Sequence, residues 1–160
     1  MIDLPEIKRK RKVKARKTPY RKPEAVKDLE RMANAEAIRL HPTCPHLAPR
    51  TYRDDTANEL TKCVVDYIKF NNGFASRINN QGTFNRRLNR FIPNTSKKGL
   101  ADIMATVRGK SLHIEVKTGR DKQSEHQKRI EAEVNRSGGY YFLCKDFESF
   151  RDWFDFLIVK

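Results

Sequence analysis

Cysteine is scarce in this chain: Cys44, Cys63 and Cys144 are odd in number and widely spaced. That pattern does not build a disulfide framework, and it points to a reducing, intracellular setting. No apolar run approaches the length of a membrane span. The basic N-terminus is followed by no apolar h-region, so no secretion signal is visible. Acidic residues are also in deficit, with 20 Asp and Glu against 34 Lys and Arg, a formal charge of +14. So basic a surface gathers polyanions over long range, nucleic acid or acidic membrane, and charge alone names a partner class rather than an activity.

With 38% hydrophobic residues in a chain of 160, one core can be buried, and part of the chain is too polar to join it. Three regions are expected: a basic disordered arm over 1–22, an amphipathic helix with a Pro-rich linker over 23–50, and the main domain over 51–160. The arm contains KRKRKVKARKTPYRKP (8–23), with two prolines and almost no large apolar side chains. Such a segment cannot offset its ordering entropy by burial. It is a solvated tail resembling a nuclear-localisation signal or an arm that tracks phosphates, and the basic domain after it favours the arm.

From Pro23 to Leu40 a proline suited to the first helical turn precedes acidic residues and apolar spacing at Val26, Leu29, Met32 or Ala33, and Ala37. The loop HPTCPHLAPR ends this helix with three prolines. His41, Cys44 and His46 in it have zinc-binding chemistry, but no CxxC pair supplies a fourth ligand, so a plain linker is the favoured reading. Leu60, Cys63, Val64, Tyr67 and Ile68 then recur at helical spacing, closed by Asn71-Asn72-Gly73. A strand is expected around FASRINNQ, and FNRRLNRFIPN, with Arg86, Arg87 and Arg90, has no clear period and reads as strand or irregular structure.

A hairpin follows over residues 99–119, GLADIMATVRGKSLHIEVKTG, turning near Gly109. Ser124 begins a helix with Ile130 and Val134 on its buried face. YYFLCK is a short apolar strand, expected inside a sheet covered on both faces. DFESFRDWFDFLIVK closes the chain as a helix, with Asp146 as cap and Phe150, Trp153 or Phe154, and Leu157 inward. The order helix, strands, helix, strand, helix describes an α/β fold around a short mixed β-sheet flanked by helices.

Strand alternation divides the hairpin into two faces. Ala101, Ile103, Ala105 and Val107, with Leu112, Ile114 and Val116, form the apolar one, leaving Asp102, Glu115 and Lys117 on the other. A two-residue loop at Arg108-Gly109 sets Asp102 opposite Glu115, and one at Gly109-Lys110 sets it opposite Lys117. Two carboxylates and an ammonium on one patch suit a hard divalent cation that bridges to phosphate oxygens and lowers the pKa of a bound water. A surface cross-strand ion pair accounts for the same residues, and the E-x-K pattern recurs at Glu6-Ile7-Lys8 in the tail.

The succession G-x-A-D (Gly99 to Asp102), hairpin, I-E-V-K-T-G (Ile114 to Gly119), helix with Gln127, Gly-Gly and apolar strand resembles the VRR-NUC branch of the PD-(D/E)XK nuclease superfamily, over roughly residues 56–150. The resemblance implies a restriction-endonuclease-like core and a Mg2+- or Mn2+-dependent DNA endonuclease. It implies that Asp102, Glu115 and the Val116 carbonyl hold the metal, that Lys117 serves the attacking water, that Gln127 sits beside them, and that Glu59 helps at the metal. Ala101 stands where the family name has proline, a residue that shapes backbone and ligates nothing. Thr56-x-x-Glu59 and Ser124-x-x-Gln127 are also capping-box patterns, so Glu59 has two readings. Gln127 lies on the stripe that faces the sheet, where a buried amide needs a partner.

Lys97, Lys98, Arg120, Lys122, His126 and Arg129, with Arg86 and Arg87, form a candidate phosphate track. The expected function is hydrolysis of DNA phosphodiesters, on branched DNA such as junctions or flaps by the family's habit, with a homodimer to cut both strands. The residues do not separate DNA from RNA, and no membrane role is expected. The rival is a nuclease-fold protein that binds nucleic acid without cutting it.

Overall fold

The computed structural model describes residues 19–44, 46–78, 82–92 and 97–159, so residues 1–18 of the expected arm lie outside the described residues. The fold is mixed α/β. Its strands β1 (Phe74–Arg77), β4 (Ile103–Val107), β5 (Lys110–Val116) and β6 (Tyr140–Cys144) form one sheet in the order β1-β4-β5-β6. β4 runs antiparallel to both β1 and β5, and β6 joins parallel to β5. β2 (Thr83–Asn85) and β3 (Arg90–Ile92) make a separate two-stranded ribbon from the segment that sequence left undecided. Among the described residues no helix is long and apolar enough to cross a membrane.

The helices are α1 (Glu24–Leu40), α2 (Ala57–Phe70), α3 (Glu125–Arg136) and α4 (Phe147–Val159). The sheet's apolar face, with Ile103, Ala105, Val107, Leu112, Ile114 and Val116, packs against α2 and α4, and α1 packs on those two helices. Tyr67 of α2 meets Phe147 and Phe154 of α4 edge-on at 5.4 and 5.6 Å. Phe154 is fully buried, while Trp153 is half-buried and stacks on Phe142 at 4.5 Å. α4 starts as expected, with the Asp146 carboxylate accepting from the Ser149 amide at 2.8 Å. The apolar β6 lies at the sheet's edge rather than inside it, between α4 on one side and α3 on the other.

The chain is held to the domain earlier than the expected arm boundary. The Tyr20 hydroxyl donates to Asp54 at 2.8 Å, the Arg53 guanidinium lies 4.4 Å over its ring, and Lys22 pairs with Glu30 at 2.5 Å. Ala25, Val26, Leu29 and Ala33 of α1 enter the same core as α2 and α4. The linker is pinned back on α1, its Arg50 amide donating to the Asn34 side chain at 2.8 Å. His41, Cys44 and His46 are exposed in that linker, whereas Cys63 and Cys144 are buried in the core.

Candidate active site

The turn between β4 and β5 selects one of the two registers. Val107 pairs with Lys110, and the intervening Arg108 and Gly109 have φ of 48° and 76°. Two positive φ values in a two-residue loop match the right-handed twist of the strands. Ile103 then faces Ile114, and one step further Asp102 stands across from Glu115. The Asp102 carboxylate accepts from the Val116 amide at 3.0 Å, which fixes it on the end of β5.

Glu115 is almost fully buried, 2% exposed. Its Oε1 takes a hydrogen bond from Gln127 Nε2 and an ion pair from Lys117 Nζ at 3.1 Å. Its Oε2 is buried and accepts no hydrogen bond among the described residues. Burial first, and the charge of Asp102 second, push the Glu115 carboxyl above its ordinary range, with Lys117 opposing them. Burial pulls the Lys117 ammonium down, but its pairs with Glu115 and with Asp121 at 3.5 Å outweigh that and hold it above the usual lysine range. Lys117 is therefore a charged hydrogen-bond donor that keeps its proton at neutral pH. Asp121 escaped the sequence reading because its link to Lys117 forms within a loop that no periodicity describes.

Gln127 serves both roles that the sequence left in competition. Its Oε1 accepts from the Ser124 amide at 2.8 Å, its own amide donates to Ser124 Oγ at 3.3 Å, and its Nε2 still reaches Glu115. A side-chain amide has an acceptor end and a donor end, so the capping box and the site share one residue.

Gly99 of the G-x-A-D motif explains how the loop before Asp102 reaches α3. Its φ is +87°, and a Cβ on it would lie 2.6 Å from the His126 carbonyl carbon and 2.9 Å from the Gln127 nitrogen. Only glycine fits both the left-handed backbone and the close approach. Gly99→Ala is expected to push the loop off α3 and to cost about 1–3 kcal/mol from the backbone conformation alone. A fall in the urea midpoint checks it, and an unchanged midpoint would show that the approach is unimportant.

Glu59 lies in the first turn of α2. Its amide donates to Thr56 Oγ1 at 3.3 Å, half of a capping box, and its charge is felt at Arg53 and Cys63. The acids felt at Glu115 are Asp102 and Asp121. Among the described residues no three His, Cys, Asp or Glu side chains are grouped closely enough to hold a metal ion. Two carboxylates nevertheless fit Mg2+, which keeps several waters and takes one or two carboxylates plus substrate phosphates. The unpartnered Glu115 Oε2 beside Asp102 is the oxygen such a cation would satisfy.

Of the expected phosphate contacts, Lys98, Arg120, Lys122, His126 and Arg129 are exposed on the loops and helix around the site. Lys97 is tied to Glu133 at 2.7 Å, and Arg86 and Arg87 sit in the turn of the separate ribbon. The chain matches no protein-family model, no curated protein and no solved structure.

Proposed function

We propose that this protein is a Mg2+- or Mn2+-dependent DNA endonuclease with a restriction-endonuclease-like core. The observation that carries the reading is a buried carboxylate, Glu115, with one oxygen unpaired and a second carboxylate, Asp102, across the strand from it. Burying such a group is costly in a protein that makes no use of it.

Asp102, Glu115 and the Val116 carbonyl would hold the metal, which when bound supplies charge stabilisation on the phosphate and a more acidic water. The Val116 amide orients Asp102, and Gln127 orients Glu115. Lys117 donates to the attacking water or to a phosphate oxygen, and Lys98, Arg120, Lys122, His126 and Arg129 take flanking phosphates. In the overall reaction water oxygen bonds to phosphorus, one phosphorus–oxygen ester bond breaks, and the leaving alcohol acquires a proton. Branched or junction DNA is the proposed substrate, with a homodimer presenting two such sites when both strands are cut.

Labelled duplex and four-way-junction DNA incubated with Mg2+, Mn2+ or EDTA test the reading. Cleavage is expected with either metal and not in EDTA. Cutting that survives EDTA, or persists unchanged in Asp102→Ala, would overturn the mechanism. Tight binding without cleavage in both metals would instead favour a nucleic-acid-binding protein on the same fold.

A further inference from the structure

The ribbon between β1 and β4 carries apolar side chains that the core does not use. Thr83 pairs with Ile92, Phe84 with Phe91, and Asn85 with Arg90. Phe84 and Phe91 therefore share one face. They are 54% and 60% exposed, and Leu88 in the turn and Ile92 are exposed as well. The Phe91 ring lies over Gly82, where a Cβ would come within 2.5 Å of it. The turn is built on purpose, with Asn85 Oδ1 accepting from the Leu88 amide at 3.0 Å and Asn89 at φ 44°. It holds Arg86 and Arg87, with Arg90 just beyond. All three are exposed, and none is in an ion pair among the described residues.

A two-stranded ribbon with an uncovered aromatic face is marginal in water, so its chemistry calls for a cover. Charge selects which. A second copy laid on the same face about a two-fold axis would set Arg86, Arg87 and Arg90 against their own equivalents, in a chain already at +14. A polyanion meets the same arginines favourably. Flat rings beside arginines form a platform on which bases stack while the guanidinium groups take phosphates. Bases offer their faces only where they are unpaired.

We infer that the hairpin 83–92 is a stacking arm for unpaired DNA bases, with Phe84 and Phe91 taking the bases and Arg86, Arg87 and Arg90 the flanking phosphates. This rests on the reading of the chain as a DNA-acting protein, and it names what the arm selects: flaps, gaps and open junction centres over intact duplex.

Fluorescence anisotropy on the full chain in EDTA tests it, using labelled oligothymidylate, a blunt duplex and the same duplex with an unpaired flap. The flap duplex is expected to bind about tenfold tighter than the blunt one. Phe84→Ala with Phe91→Ala should erase that preference while blunt-duplex affinity shifts less than about twofold. Replacing both by Leu, which keeps an apolar surface without a flat ring, should erase it too. Removing the three arginines should flatten the salt dependence on every probe. The inference is overturned if either Phe variant, with an unchanged melting temperature, keeps the flap preference. It is also overturned if oligouridylate RNA binds tighter than oligothymidylate, or if sedimentation finds a dimer that the Phe variants dissolve. Because binding is read without metal, a protein that never cleaves can still pass. A nuclease lacking this arm would cleave and fail.

Discussion

Glu115→Gln is expected to abolish metal-dependent cleavage and, at the same time, to raise the melting temperature of the metal-free protein. Gln keeps the shape and the contacts available to Lys117 and Gln127, but it removes a buried charge one of whose oxygens has no partner. The folded-state pKa of Glu115 is raised, by burial first and Asp102 second, so the folded protein holds the Glu115 proton more tightly than the unfolded chain does. The associated stability is fully present below the unfolded carboxylate pKa and is lost as pH rises through the raised folded value. The advantage of Gln is therefore greatest at neutral pH and shrinks as the pH falls through the carboxylate range. Each kcal/mol gained lifts the melting temperature by about 2–4 °C in a chain of this size.

The cleavage rate should fall at least about a thousandfold, the scale of losing a central electrostatic group. Mg2+ at a hundred times its dissociation constant should stabilise the wild-type protein by about 2.7 kcal/mol and the variant hardly at all. Thermal melts with and without Mg2+ across pH, run beside a cleavage assay, read all three effects. A Gln variant that still cuts, or that melts lower than wild type without metal, would refute the account of Glu115 as a carboxylate kept for function at the expense of stability.

Phe150→Ala should act through the fold alone. Phe150 is fully buried, with the rings of Phe154 at 5.7 Å, Phe142 and Trp153 at 5.9 Å and Tyr67 at 6.5 Å around it. It joins α4 to both α2 and β6. Truncating such a ring costs about 3–5 kcal/mol, against a total of about 5–15 kcal/mol for a typical domain. The urea midpoint should drop accordingly, while the fraction that remains folded keeps the proposed metal-dependent cleavage. A loss below about 1 kcal/mol would mean that the neighbouring rings close over the gap.

Helices were legible where apolar spacing is strong. Leu60, Cys63, Val64, Tyr67 and Ile68 read directly as the buried stripe of α2, and Phe150 and Leu157 as that of α4, where the structure buries Phe154 rather than Trp153 and adds Phe147. The β2–β3 ribbon was illegible for a physical reason: alternation becomes visible when one face is buried, and here Phe84, Phe91 and Ile92 are all exposed. The docking of Tyr20 on Asp54 and of Lys22 on Glu30 spans 34 and 8 residues, and nothing in a basic, proline-containing segment announces it. Glu59 could not be decided from spacing because a capping position and an inward position coincide in the first turn of α2.

By itself the sequence made Asp102, Glu115 and Lys117 neighbours at one end of a hairpin, and put Gln127 on the sheet-facing side of a capped helix. Those are consequences of the two-residue and 3.6-residue periods of the backbone, which are local. Only the tertiary structure decided the rest. Positive φ at Arg108 and Gly109 fixed the register, Gly99 let the loop close on α3, and α3 then carried Gln127 to a carboxylate buried with one oxygen unpaired. Register, close approach and burial depend on how distant segments pack, and that information is not held in any one stretch of the chain.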